Sequence, residues 1–152
     1  MRKWLGLSAV VIALDIYTKH LIVKAFEYGE HLPLTSFFDL VRYHNEGAAF
    51  SFLAGAGGWQ RIFFSTIAIV ASVIIIRLLR KHPQQHLFCF GLALILGGAL
   101  GNLYDRVTLG YVVDFLFFHY QEYYWPAFNV ADSAICVGVA LLIWDSFKKK
   151  PA

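Results

Sequence analysis

Apolar residues run along this chain in four long blocks, separated by stretches where acids, amides and aromatic residues collect. The blocks cover approximately 4–26, 59–79, 87–104 and 130–147. Each matches the roughly 20 mostly apolar residues that a helix needs to cross a bilayer core. The first follows "MRK" and so begins as a signal peptide would. However, no small-x-small cleavage site appears, and the apolar pattern continues past Asp15 to Val23, so it reads as a retained helix. In the first connection, 27–58, "NEG" reads as a turn between two short strand-like runs. In the second, 105–129, another strand-like pair is expected around Leu109-Gly110. The segment "FLFFHYQEYYWPAF" after it is mostly aromatic and suits the membrane–water interface. "RKHPQQH", between the second and third blocks, is short and connective.

Composition agrees with this pattern. Of 152 residues, 59% are hydrophobic and 15% charged, too few polar groups to coat a water-facing surface. Residues 1–152 are expected to form a single membrane-embedded domain. The net charge of +3 is weak support for nucleic acid, and none is expected as a partner. Its distribution says more. Arg2 and Lys3, then Arg77, Arg80 and Lys81, then Lys148, Lys149 and Lys150 all fall at one set of block ends, while Glu27, Glu30, Asp39, Glu46, Asp105, Asp114 and Glu122 fall in the long connections. By the positive-inside rule both termini lie in the cytoplasm and the long connections face outward. Cys89 and Cys136 sit singly in apolar runs, as packing or lipid-facing residues would.

The polar residues inside this greasy framework need reasons. Asp15 and Lys19 lie four apart, on one helix face, and the favoured reading is an ion pair that locks packing. "GGALGNLYDRV" gives a small-residue face at Gly97, Gly98 and Gly101 for close helix approach. Asp105 and Arg106 after it are either charges at a helix end facing water or functional groups; Asn102, deeper, needs partners. Asp132 falls in the first turn of the fourth helix, where the helix dipole favours an anion, with Asn129 placed to cap. Asp114, in "GYVVDFLFF", has no such local excuse. Both acids belong to the outer end, at the depth of Asn45, Asn102 and Arg106. Two carboxylates brought to about 3 Å cannot both ionise, so one can activate water while the other polarises a carbonyl. On the residues alone, such a dyad and a purely structural role remain open. No zinc motif, nucleophile elbow or phosphate loop competes, and the six histidines have no ligand spacing.

These motifs resemble those of bacterial lipoprotein signal peptidases, the aspartic intramembrane proteases known as signal peptidase II. "LDIYTK" looks like the family's Asp-x-x-x-Lys element, and "NEGAAFS" like its outward-loop motif. "GGALGNLYDRV", "VVDF" and "FNVADSAI" match the remaining blocks in order and spacing. The resemblance implies a catalytic pair, Asp114 and Asp132, with Asn45, Asn102 and Arg106 orienting the substrate backbone. Asp105 and Asn129 would hold the dyad region, and Asp15 and Lys19 would brace the first span. It further implies a four-span α-helical membrane protein with a small extracytoplasmic β-cradle, and an aromatic segment lying on the membrane as a partly mobile lid. The substrate would be a diacylglyceryl-modified prolipoprotein, cut just before the lipidated cysteine at the extracytoplasmic face of the cytoplasmic (inner) membrane. No metal or organic cofactor would be required. A monomer in contact with membrane lipid, sensitive to globomycin-type inhibitors, is expected. Two rivals predict differently: a proton-relaying transporter needs polar groups through the whole bilayer depth, and a non-catalytic scaffold needs the acids for stability only.

Overall fold

The computed structural model describes residues 1–47 and 58–148. Four helices carry the apolar blocks: α1 (Arg2–Ala25), α2 (Trp59–Lys81), α3 (His86–Thr108) and α4 (Val130–Lys148). Each is long and apolar enough to cross a membrane. Their outward faces present large apolar side chains such as Val10, Leu14, Ile62, Ile74 and Ile143. Only a hydrocarbon surround makes that arrangement favourable, because the helices already satisfy their own backbone groups. The remaining elements, β1 (His31–Thr35), β2 (Phe38–Asn45), β3 (Val112–Tyr120) and β4 (Tyr123–Phe128), form one antiparallel sheet in the order β1-β2-β3-β4.

Glycines on α3 decide how the helices meet. A Cβ on Gly97 would lie 2.6 Å from the Cβ of Val11 on α1, and one on Gly101 would lie 2.6 Å from a carboxylate oxygen of Asp15. On the opposite face, a Cβ on Gly98 would strike the carbonyl oxygen of Ala131, and Gly91 and Gly138 each leave room for the other's carbonyl. Small residues thus let α3 sit in the middle, with α1 on one side and α4 on the other. The edge-on packing of Trp4 against His86 brings the start of α1 beside the start of α3, so these two run parallel. The contacts of Gly91 with Gly138 and of Gly98 with Ala131 make α4 antiparallel to them. The sheet therefore lies at one end of the bundle, and Met1, Lys148 and the 82–85 link at the other. That other end holds an apolar core of Trp4, Ile75, Leu79, Cys89, Leu92 and Leu96. Under the sheet, Ile22 packs against Val113 and Phe115.

A substitution at the tightest of these contacts tests the packing. Gly98→Val should force α3 and α4 apart and lower the thermal midpoint in detergent by more than the same change at Gly6, where a Cβ meets nothing within 4 Å. Equal melting of the two variants would show that the close approach is not required.

Three expectations need correcting. The third helix does not stop at 104. It continues to Thr108 and closes at Leu109, with both Leu109 N–H and Gly110 N–H bonding to Asp105 carbonyl. Gly110 supplies the positive φ (91°) that turns the chain away, so Leu109-Gly110 ends a helix rather than joining two strands. The first hairpin turns at Ser36-Phe37, and "NEG" closes β2 instead; the second run foreseen there, with Ala48 to Ser51 of "NEGAAFS", lies outside the described residues, as do Lys149 and Lys150. The aromatic segment keeps its expected exposed rings and takes the form of the β3–β4 hairpin, turning at Gln121 (φ 53°) and Glu122. Its aromatic and β-branched residues have the side chains that pair well across strands, and the rings of Tyr120, Tyr123, Tyr124 and Trp125 project from it exposed.

Candidate active site

The end of α3, the start of α4 and the strand β3 converge beneath the sheet, and every polar residue singled out in the sequence meets there. Asn129, fully buried, is the joint. It caps α4: its side-chain oxygen accepts from the backbone N–H of Asp132 (2.9 Å), while an Asp132 carboxylate oxygen accepts from the backbone N–H of Asn129 (3.3 Å). This reciprocal pair is a capping box with aspartate in the third helical position. The Asn129 amide nitrogen faces the other way and donates to Asp114 (2.7 Å), Asn102 Oδ1 (3.2 Å) and the Val113 carbonyl (3.3 Å). One residue therefore joins the two acids, through its side chain to the Asp114 carboxyl and through its backbone N–H to the Asp132 carboxylate.

Asp114 is 3% exposed, although it lies on a strand. β3 is covered on both faces along Val112–Phe115, so it buries four successive residues instead of alternating. Across the ladder Asp114 pairs with Tyr43, and its second oxygen accepts from Asn45 Nδ2 at 3.0 Å. Burial, reinforced by the nearby charge of Asp132, pushes the Asp114 carboxyl up to about 7 from its usual 3.8; the Asn45 and Asn129 hydrogen bonds offset this only in part.

A second layer lies on the α1 side. Lys19, 3% exposed, donates to Asp15 (2.7 Å) and Asn102 Oδ1 (2.9 Å) and forms an ion pair with Asp105 (3.0 Å). The other end of Asn102 donates to Asp132 at 2.8 Å. Asp15 accepts the Ala131 N–H at 2.9 Å, fixing the first turn of α4. Asp105 accepts the Val113 N–H at 3.1 Å, fixing β3 one residue before Asp114. The Asp15–Lys19 pair thus does more than lock α1, because it ties α1 to the helix and the strand that carry the two acids. Asp105 is buried and faces inward, against the water-facing alternative. Arg106 donates to the Gly47 carbonyl at 3.0 Å, and its guanidinium lies 5.4 Å from the centre of the Phe64 ring. Its buried Nε has no partner among the described residues.

Two openings reach the carboxyls from opposite sides. A cavity of about 610 Å³ runs between α2, α3, α4 and β4, walled by apolar residues such as Phe64, Ile67, Ala71 and Ile135, with Asn102, Arg106 and Asp132 at its head. A second, of about 520 Å³, opens over the sheet and is floored by Asn45 and Asp114. Asn45, Pro126 and Ala127 line both. Sequence reasoning placed Tyr124 in the aromatic segment but did not single out Phe64 or Tyr43. For Tyr43 a signal existed: two residues before Asn45 on a strand, it shares that residue's face.

Fold and site together define a membrane-embedded protein with buried Asp114 and half-buried Asp132 tied into one polar network at one end of a four-helix bundle. The family model described as "Signal peptidase (SPase) II" matches residues 7–148. The lipoprotein signal peptidase of Ralstonia nicotianae is 58% identical over 146 residues, which cover 96% of this chain and 84% of the relative. That of Janthinobacterium sp. (strain Marseille) is 55% identical over 149 residues, covering 98% and 90%. A bacterial membrane enzyme solved in meso at 2.3 Å superposes with a TM-score of 0.86 at 30% identity, over 100% of this chain and 94% of that one. The chain belongs to the signal peptidase II family and is a multi-pass membrane peptidase.

Proposed function

We propose that this enzyme removes the signal peptide from diacylglyceryl-modified prolipoproteins by cutting just before the lipidated cysteine, with Asp114 and Asp132 activating water. The observation that carries this is Asn129, whose side chain binds the Asp114 carboxyl and caps the backbone of Asp132 where a bilayer-side groove meets a cleft on the sheet side. Asp132, at the N-terminus of α4, acts as the ionised base, and Asp114 holds the proton. Asp132 takes a proton from water as the oxygen attacks the scissile carbonyl carbon, and Asp114 donates to the carbonyl oxygen. In collapse of the tetrahedral species, Asp132 passes its proton to the departing nitrogen and the C–N bond breaks. Asp114 then recovers its own proton as the new carboxyl forms. Arg106 offers its Nε to a substrate carbonyl, and Asn45 and Asn102 hold the acids apart in their two roles.

The apolar groove suits a signal-peptide helix lying among the spans, with the acyl chains left in the lipid. The distribution of basic residues favours both termini in the cytoplasm of the inner membrane and the site at its outer face. The chain, 1–152, would act as one peptidase domain and as a monomer, and a globomycin-type inhibitor would compete for the groove. A transporter is disfavoured because the polar network stops at one end, and the other end of the bundle is closed by the Trp4–Leu79–Leu96 core. The test uses purified protein with a diacylglyceryl-modified prolipoprotein and its unlipidated precursor, and reads the new N-terminus by mass spectrometry. Cleavage of both forms at equal rate, or at another bond, would overturn the assignment.

The raised Asp114 value gives a pH dependence of known sign. The folded state binds more protons than the unfolded one between 3.8 and about 7, so stability should decline as pH rises through that window. Loss of the shared proton also removes the acid. In kcat/KM, which reports the free enzyme, we expect an alkaline limb with an apparent pKa of about 7 belonging to the pair. In kcat the limb should move to higher pH, because bound substrate excludes water from both carboxyls. A kcat/KM profile flat from pH 6 to 9 would contradict the assignment of the proton to Asp114.

A further inference from the structure

We propose that the cleft over the sheet is a specificity subsite for the residues that come after the lipidated cysteine, and that Tyr43, fixed by His31 and Asp39, forms its wall. The inference rests on the reaction proposed above and extends it to a part of the substrate which that reaction leaves unplaced. A chain cut between the two carboxyls enters from the bilayer side through the apolar groove. The substrate segment on the far side of the scissile bond has to leave by an opening that is not lipid. The cleft beginning at Asp114 is that opening, because it shares Asn45, Pro126 and Ala127 with the groove and so continues the same path.

Its walls say what it accepts. Tyr28, Tyr43, His44, Phe117 and Tyr124 surround it with rings, and no lysine or arginine among the described residues lines it. Tyr28 and Tyr111 lie against the two sides of His44, with ring centres at 4.5 and 3.8 Å, which makes this part of the wall stiff. Ring walls around an acid floor fit a short, extended run of small uncharged residues and exclude bulky ones.

Tyr43 is held from behind by a chain of groups that neither the fold nor the reaction otherwise uses. Asp39, buried in β2, accepts from His31 Nδ1 (3.3 Å) on β1 and from His119 Nε2 (3.1 Å) on β3. With its Nδ1 proton committed to Asp39, the His31 ring presents Nε2 as the acceptor for the Tyr43 hydroxyl. Phe117 packs edge-on against both His31 and Tyr43 and closes the group. An Asp–His–Tyr relay of this kind fixes a ring without adding charge to the cleft. Asp39 and His31 are therefore positioning residues, acting through Tyr43.

Two diacylglyceryl-modified substrates, identical through the cysteine, test this. One carries glycine and serine at the next three positions, and the other carries tryptophan and isoleucine. The parent should prefer the first by about tenfold or more in kcat/KM. Tyr124→Ala and Tyr43→Ala should bring that ratio below about threefold. Tyr43→Phe and Asp39→Ala should each give an intermediate ratio, since the ring remains but loses its anchor. General structural damage lowers both rates together and leaves the ratio where it was. Equal kcat/KM for both substrates with the parent, or one ratio across all variants, would overturn the subsite while leaving the reaction intact. If the parent cuts neither lipidated substrate, the reaction itself is wrong and the subsite falls with it.

Discussion

Asp114→Asn and Asp132→Asn should each remain folded and each lose cleavage by about 10³-fold or more, a loss within the range that a general acid or base contributes. The substitutions are isosteric, so the apolar packing around β3 and α4 is kept. What changes is the hydrogen bonding. An amide at 114 can still accept from one of its two donors, Asn45 and Asn129, but turns an N–H toward the other. At 132 the new oxygen can keep either the Asn102 amide or the Asn129 backbone N–H, not both. Each loss costs about 1–3 kcal/mol. Relief of the repulsion between the two neighbouring acids acts in the opposite direction. The net stability change should therefore be small beside the loss of activity.

That ordering separates the catalytic reading from a scaffold. If the acids served packing alone, neutralising them would shift melting and leave the residual folded fraction active. The measurement is initial cleavage rate with the lipidated substrate, alongside thermal unfolding of the same preparation. Either variant cleaving at parental rate while folded would remove that residue from the mechanism.

The four spans were legible because bilayer thickness dictates block length, and no tertiary contact is needed to see it. The acids were legible for a related reason: a carboxylate amid Val112, Val113, Phe115 and Leu116 has no local justification, so it implies partners elsewhere in the chain. The ends of elements were not. Asp105 and Arg106 look like a water-facing helix end, yet the helix runs on to Thr108 because Asp105 finds Lys19 and the Val113 N–H, and Gly110 supplies the stop. Likewise the aromatic run reads by composition as an interfacial segment. Only cross-strand pairing of Phe118 with Trp125 and of Leu116 with Phe128 makes it a hairpin. The relay from Asp39 through His31 to Tyr43 joins two strands at positions whose separations in sequence carry no motif, so it appears only once the sheet is assembled.

Lys19→Met is expected to be the most destabilising single change outside the glycine contacts. The ammonium is buried, hydrogen-bonded to Asp15 and Asn102 and paired with Asp105. Methionine keeps the length and the apolar stem and removes only the charge and the donors. Two acids then face each other across the gap without a cation, and breaking a buried pair in this way costs about 3–5 kcal/mol. Activity should fall as well, because Asp15 and Asp105 are what hold the Ala131 and Val113 N–H groups, and through them the start of α4 and the register of β3. Lys19→Arg should rescue poorly. A planar fork cannot serve three oxygens converging on a point as an ammonium does. Neutralising the whole group, with Lys19→Met, Asp15→Asn and Asp105→Asn together, should recover much of the thermal midpoint, since replacing all members of a buried ion cluster is far less costly than removing one. Cleavage by that triple variant should stay below the parent, because two amides hold the backbone N–H groups less tightly than two carboxylates. Thermal unfolding in a single detergent ranks the four proteins: Lys19→Met melting with the parent would mean that the cluster is solvated, and a triple variant no more stable than the single one would mean that packing around Lys19, not its charge, joins α1 to the site.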